Sequence, residues 1–196
     1  LENYPEIVVF DNEDRLLEVI SRNITVLAGP GTINNKWTQD VFNLLKDKYL
    51  SIILDAAYIQ KIINKNLFRH SIILPHEGEA ARLLDVPSSR IKSNRVNAIK
   101  EICSKYDSVV VLKGYRTLIS DGKNIYRCLD GGVKLATAGT GDVLAGLIGS
   151  LISQGLNHIE SCKLAVSIHG CCSDEAKFSK TLIASELIES IRVKID

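Results

Sequence analysis

The sequence lacks the features of a membrane protein and of a nucleic-acid-binding protein. No apolar stretch reaches the ~18 to 20 residues that span a bilayer, no signal-peptide pattern is present, and no run of like charge exceeds a few residues. The 24 Lys and Arg residues nearly balance the 23 Asp and Glu residues, which leaves a net charge of +1. These absences predict a protein with neither a membrane nor a nucleic-acid partner.

Cysteine pairs with the spacing of metal ligands are also absent. The five cysteines are an odd number and include no CxxC pair, which argues against a zinc site and against a disulfide framework. We interpret them as buried thiols of a protein in the reducing cytoplasm. Methionine is missing altogether and the chain begins with Leu1, which indicates either a fragment or a sequence from which modified residues are missing.

The 196 residues, 45% of them apolar, suffice for a single domain with a sizeable core. Short apolar runs alternate with segments of helical periodicity, which predicts βαβ units in a mainly parallel sheet with helices on both faces, an α/β fold. The predicted strands are 7–10, 24–28, 51–54, 71–74 and 108–113, followed by an antiparallel hairpin of 117–120 and 124–129. Helices are predicted over 142–154, from 158 to about 178, and over 184–193.

Ligands of an open parallel sheet bind where the strands end, and three loops at such ends carry glycines or acids. The glycines of 29–32 allow a backbone to approach an anion closely, although a tight turn alone also explains Gly-Pro-Gly. Asp55 either binds a ligand or caps the next helix. His76 either orients a substrate or is structural, and the acids after it, Glu77 and Glu79, stand where a helix N-terminus favours them.

The fourth loop, 113–117, reads Lys-Gly-Tyr-Arg-Thr. A lysine that leaves a buried strand beside glycine, with Arg and Thr close behind, suits phosphate oxygens. The alternative is an edge lysine that prevents aggregation.

The fifth loop, Gly139-Thr140-Gly141-Asp142, stands directly before a long apolar stripe of helical spacing. The free N–H groups and the dipole of that helix start make an anion hole for a phosphoryl group. The same dipole favours the ionised form of Asp142, which predicts a base. The alternative is an N-cap aspartate worth ~1 kcal/mol, which leaves the small residues before it unexplained. The Walker and Rossmann phosphate-binding fingerprints are both absent.

Five segments, GPG, PHEGEAARLL, VVLKGYRT, LATAGTGDVLAG and LAVSIHG, together resemble the ADP/ATP-dependent NAD(P)H-hydrate dehydratases of the ribokinase-like superfamily in order and spacing. The resemblance covers residues from about 24 to 190. It implies a ribokinase-like three-layer sandwich, with residues 1–196 as a single domain that lacks the family's N-terminal strand-helix-strand.

The resemblance implies a lyase that returns hydrated NADH or NADPH to the normal cofactor at the expense of ADP or ATP, with Mg²⁺. Asp142 would take the proton from the substrate hydroxyl as it is phosphorylated, and loss of phosphate would restore the ring double bond. The residues expected to contact the hydrated dinucleotide are Gly31, His76 and Asp142. Those expected at the nucleotide are Lys113, Gly114, Tyr115, Arg116, Thr117, Gly139, Thr140 and Gly141.

A homo-oligomer is also expected, with an NAD(P)H-hydrate epimerase as functional partner. Two other functions stay open. One is a ribokinase-like kinase of a small alcohol, such as a vitamin precursor, which shares Asp142 and the anion hole and stops after phosphorylation. The other is a non-catalytic nucleotide-binding module.

Overall fold

The computed structural model of the protein describes residues 7, 13–20, 24–33, 35–45, 51–63, 68, 70–176 and 182–195. Six strands of this part of the chain form one sheet, in which they lie in chain order. The first four strands are parallel to one another, and the fifth runs antiparallel to both the fourth and the sixth. This confirms the mainly parallel sheet and the hairpin. The predicted strand 7–10 lies outside the described residues except for Ile7. The strands are β1 (Thr25–Ala28), β2 (Ser51–Leu54), β3 (Ile72–Ile73), β4 (Val109–Leu112), β5 (Leu118–Ser120) and β6 (Ile125–Arg127).

Helices occupy most of the remaining described chain, and the three predicted in its last third are confirmed with shifted ends. The first of these begins at Thr140 rather than at Asp142, and the second ends at Glu175, while 177 and 178 lie outside the described residues. The helices are α1 (Glu13–Ile20), α2 (Lys36–Leu45), α3 (Ala56–Lys61), α4 (Glu77–Leu84), α5 (Ser88–Ser93), α6 (Arg95–Tyr106), α7 (Thr140–Ser153), α8 (His158–Glu175) and α9 (Ala184–Ile195), with a 3₁₀ turn at Val133–Leu135.

Helices cover both faces of the sheet. Successive residues of a strand point to opposite faces. In β2, Ile53 packs in a cluster with α7 and α8, whereas Ile52 and Leu54 pack in a second cluster with α2, α3, α4 and α6. All three side chains are at most 3% exposed, and burial of each contributes ~1.5–3 kcal/mol. The apolar runs of the sequence are therefore continuous, as two-sided burial requires, and the three-layer arrangement is confirmed.

Candidate active site

The loops after the parallel strands begin side by side, because the hydrogen-bond ladder continues just past the strands. The Asp55 N–H donates to the carbonyl of Ala28 at 3.0 Å, and the Lys113 N–H donates to the carbonyl of Pro75 at 2.8 Å. The loops that follow β1, β2, β3 and β4 therefore share one edge of the sheet. This is the edge at which ligands of parallel sheets bind.

The loop 29–32 is a tight turn that packs against the next strand end. The Thr32 N–H donates to the Gly29 carbonyl at 3.2 Å, and Gly31 has a φ of +67°. At Gly29, φ is +131° and a Cβ atom would lie 1.7 Å from the Asp55 carbonyl oxygen. The tight-turn interpretation of Gly-Pro-Gly is thus confirmed. Gly31 itself is exposed, with no atom within 4 Å of where its Cβ would stand, and its role in substrate contact stays a prediction.

Asp55 and Lys113 form a buried ion pair that the sequence did not predict. The Lys113 Nζ lies 2.6 Å from the Asp55 Oδ1, and the two side chains are 19% and 1% exposed. The same Oδ1 accepts the Ala56 N–H at 2.8 Å, so Asp55 also caps α3, one of its two predicted roles. A Cβ atom at Gly141 would lie 3.7 Å from the Lys113 Nζ. Lys113 therefore brings a positive charge to the start of α7.

The start of α7 presents unpaired donors next to that charge. Gly139 is the N-cap residue, with φ at +87°, and provides no side-chain cap. The Thr140 hydroxyl donates to the carbonyls of Leu135 and Thr137 at 2.7 and 2.8 Å, which ties down the turn before the helix. Within the described residues, the backbone N–H groups of Gly141 and Asp142 make no hydrogen bond. Free N–H groups beside a cation are the elements of an anion hole.

Asp142 is the third residue of α7 and its side chain is exposed. The N-cap interpretation of Asp142 is wrong, because Gly139 holds that position and no side chain bonds to the helix start. The physical reason is the left-handed backbone at Gly139, which lets the helix begin earlier than the acid. Among the described residues, the Asp142 carboxylate has no hydrogen-bond or ion-pair partner. Its position in the first turn favours a negative charge through the helix dipole, but no side-chain contact ties the carboxylate down.

A cleft of about 390 Å³ opens between the 113–117 loop, the loop 130–136, α7 and α8. It collects seven of the predicted site residues: His76, Lys113, Gly114, Tyr115, Thr117, Thr140 and Gly141. Four others, Gly31, Arg116, Gly139 and Asp142, do not line it. Asp142 follows directly on a lining residue, whereas the Arg116 side chain lies in a neighbouring cleft.

His76 serves the structure and faces the cleft at once. Its Nδ1 accepts the N–H groups of Gly78 and Glu79 at 3.0 and 3.3 Å, and its own N–H donates to the Glu79 Oε2 at 2.8 Å. This is a complete capping box at the start of α4. Because Nδ1 accepts, the neutral ring carries its proton on Nε2, and the side chain is 56% exposed. The structural prediction is confirmed, and Nε2 lies 3.6 Å from the Glu79 Oε1.

Arg95, which the sequence did not single out, holds the 113–117 loop in place. Its guanidinium donates to the carbonyls of Leu112, at 3.0 Å, and Tyr115, and its Nε lies 3.4 Å from the Glu77 Oε1. Burial lowers the pKa of Arg95, while the Glu77 carboxylate opposes that shift. At Gly114, where φ is +140°, a Cβ atom would lie 3.1 Å from the Arg95 Nη2. The glycine of this loop thus makes room for the arginine.

Part of the cleft wall comes from α8, whose residues His169 and Gly170 were not among the site residues predicted from the sequence. The His169 Nε2 lies 2.8 Å from the carbonyl of Thr140, and burial lowers the pKa of His169, so the ring is a neutral donor. A Cβ atom at Gly170 would lie 2.9 Å from the carbonyl of Asp130, so the glycine permits a close approach of the 130–136 loop. The His-Gly pair of LAVSIHG was the available signal.

A sequence profile of the family described as NAD(P)H-hydrate dehydratase matches residues 2–194. The chain belongs to this family. A relative in it, the bifunctional NAD(P)H-hydrate repair enzyme Nnr of Coxiella burnetii, is 33% identical over 188 residues, which are 93% of this chain and 38% of the relative. The chain therefore spans less than half the length of that relative.

Solved structures agree with the family assignment. The ADP/ATP-dependent NAD(P)H-hydrate dehydratase of Bacillus subtilis, crystallised with ATP and Mg²⁺, is 26% identical and superposes with a TM-score of 0.77, over 90% of this chain and 69% of that chain. A ribokinase-like superfamily protein of Enterococcus faecalis, 24% identical, superposes with a TM-score of 0.82 over 93% of this chain and 66% of that chain. The ribokinase-like fold is thereby confirmed.

Two further observations describe this NAD(P)H-hydrate dehydratase family member. Within its described residues, no three or more His, Cys, Asp or Glu side chains are grouped so that they could hold a metal ion. In the same part of the chain, no helix has the length and apolar character needed to cross a membrane.

Proposed function

We propose that the chain dehydrates hydrated NADH or NADPH to the normal cofactor at the expense of ADP or ATP, as a lyase. One observation carries the proposal within this family. Asp142 is an exposed carboxylate with no hydrogen-bond or ion-pair partner in the described part of the chain, and it follows directly on Gly141, which lines the cleft beside the Lys113 Nζ. A free base next to an anion hole is what phosphoryl transfer to an alcohol needs.

In the proposed reaction, the nucleotide phosphates lie against the free N–H groups at the start of α7 and against the Lys113 ammonium. Asp142 removes the proton of the substrate hydroxyl. The hydroxyl oxygen forms the new bond to the terminal phosphorus of the nucleotide, and the bond from that phosphorus to the rest of the nucleotide breaks. The phosphate then departs with the electrons of the carbon–oxygen bond. A proton leaves the neighbouring ring carbon, and the double bond returns. One nucleotide molecule therefore loses one phosphate group for each cofactor molecule that is repaired.

The remaining predicted contacts fit this arrangement. His76 lines the cleft with a side chain that is 56% exposed, and the exposed turn at Gly31 lies on the same edge of the sheet. Glycines and a lysine at the cleft suit ADP or ATP as co-substrate. A Mg²⁺ ion would be held mainly by phosphate oxygens and water, as is usual for this ion, and would neutralise phosphate charge.

Product analysis distinguishes the three candidate functions. Hydrated NADH is incubated with the chain, Mg²⁺ and either ADP or ATP, and the near-ultraviolet absorbance of NADH is followed together with released phosphate. Recovery of NADH with equal release of phosphate supports the dehydratase. Accumulation of a phosphorylated alcohol without NADH identifies the small-alcohol kinase, and nucleotide binding without any turnover identifies the non-catalytic module.

We also propose a cytoplasmic homo-oligomer that works with an NAD(P)H-hydrate epimerase. The five cysteines are all free thiols, which suits a reducing compartment. On and before α9, the side chains of Ile183, Ile188, Val193 and Ile195 are each more than half exposed, which suits an interface. The relative named as bifunctional is longer than this chain, which leaves it room for a second activity. Light scattering after size-exclusion chromatography tests the oligomer.

A further inference from the structure

A second cleft, of about 320 Å³, lies on the other side of the 113–117 loop from the proposed active site. Tyr115 lines both clefts and so forms the wall between them. The second cleft is lined by four cationic side chains, which come from three separate parts of the fold: Lys92, Arg95, Arg116 and Arg127. Tyr115 and Arg116 belong to the loop expected at the nucleotide, whereas Lys92 and Arg127 have no part in the proposed reaction.

The positive charge of this cleft is largely uncompensated. Glu77 pairs with Arg95, but Lys92, Arg116 and Arg127 make no ion pair within the part of the chain that the structure describes. None of the described residues that line the cleft is an Asp or a Glu. The charge of Arg127 reaches Arg95, whose pKa it lowers together with burial. Like charges brought together in this way repel each other and destabilise the fold unless an anion joins them.

Arg95 and Arg116 are positioned by contacts with the 113–117 loop. Arg116 has a φ of +54°, its carbonyl faces the Arg95 Nη1 at 3.5 Å, and its guanidinium lies 5.3 Å from the centre of the Tyr115 ring. Lys92 stands in the last turn of α5, and Arg127 ends β6. The four cationic residues thus line one concave surface.

We propose that this second cleft is an anion site that binds the phosphate group of a small phosphorylated molecule or inorganic phosphate itself. Two arginine forks match the oxygen geometry of phosphate, and three uncompensated charges suit a multiply charged anion. The volume is that of a site for a small molecule. The inference stands on this cleft alone and does not depend on the dehydratase activity.

Calorimetric titration with inorganic phosphate, and with a small phosphate ester in a parallel series, tests the site and shows which source binds better. We compare the unchanged chain with Arg116→Ala and Arg127→Ala, and with Arg192→Ala as a control on the exposed end of α9. Loss of one charge-assisted contact should weaken phosphate affinity about tenfold or more in each of the first two variants. The control should bind phosphate like the unchanged chain.

Because the replaced arginines are exposed, the variants should fold, and melting temperatures without phosphate check this. Removal of one of several like charges should leave the melting temperature equal or higher. Phosphate affinity that is the same in all four proteins would overturn the proposal, because the anion would then bind elsewhere, at the start of α7 for example. Absence of phosphate binding to the unchanged chain would overturn it as well.

Discussion

Replacement of Lys113 by methionine removes one charge of the buried ion pair and keeps most of the aliphatic side chain. Among the residues that the structure describes, the Asp55 carboxylate, 1% exposed, then retains only the Ala56 N–H as a hydrogen-bond partner. Removal of one partner from a fully buried pair costs ~3–5 kcal/mol. Because the Lys113 side chain is 19% exposed, we expect a smaller loss in the free energy of unfolding, ~2–3 kcal/mol. At ~2–4 °C per kcal/mol for a chain of this size, the melting temperature should fall by ~4–12 °C.

Urea unfolding followed by circular dichroism measures that loss, and calorimetry measures ADP affinity in the same protein. The double variant with Asp55→Asn and Lys113→Met separates the buried charge from lost packing. If the unpaired carboxylate is the cause, the double variant should regain about half of the lost free energy or more. A loss below ~1 kcal/mol in Lys113→Met, or a double variant no more stable than the single one, would refute this reasoning.

Two further predictions concern backbone packing and protonation. Gly29→Ala should lose at least ~3 kcal/mol of unfolding free energy, because its Cβ would meet the Asp55 carbonyl at 1.7 Å; the control Gly31→Ala, in open space, should lose only ~1–2 kcal/mol. A smaller loss for Gly29→Ala than for Gly31→Ala in urea titrations contradicts the packing. Burial lowers the pKa of His169 from 6.5, so the unfolded chain takes up a proton that the folded chain does not, and the unfolding free energy should fall as the pH drops below 6.5. His169→Gln should reduce the dependence of the unfolding free energy on pH below 6.5. An unchanged pH dependence in this variant would contradict the assignment to His169.

The sheet and the last three helices were predictable because their residues carry strong local patterns. Central strands buried on both faces read as unbroken apolar runs, and α7 presents a long apolar stripe. The helices α5 and α6 gave no comparable signal. Their sequence is largely polar, and α6 buries only one narrow face, which includes Ile99 and Ile102. Tertiary packing rather than local preference defines such elements.

The site was predictable only as a gathering of loops. Parallel strands bring their carboxyl ends to one edge, so Lys113 and Asp55 were expected to be near each other, yet their ion pair joins residues 58 positions apart. No local pattern reveals that pairing, nor the reach of Arg95 to the 113–117 loop. Whether Asp142 was a cap depended on where α7 begins, and that depends on the positive φ of Gly139. Because the N-cap lies three residues before Asp142, Asp142 does not cap the helix.

Asp142→Asn removes the basicity of the exposed carboxylate with almost no change in size. Its control is Glu160→Gln, another exposed acid in the first turn of a helix, α8. Turnover of hydrated NADH and calorimetric ADP affinity are measured side by side for both variants and the unchanged chain. We expect Asp142→Asn to bind ADP within a few fold of the unchanged chain and to lose turnover by ~100-fold or more, while Glu160→Gln keeps both. Comparable turnover in Asp142→Asn and the unchanged chain would contradict the assignment of Asp142 as the base.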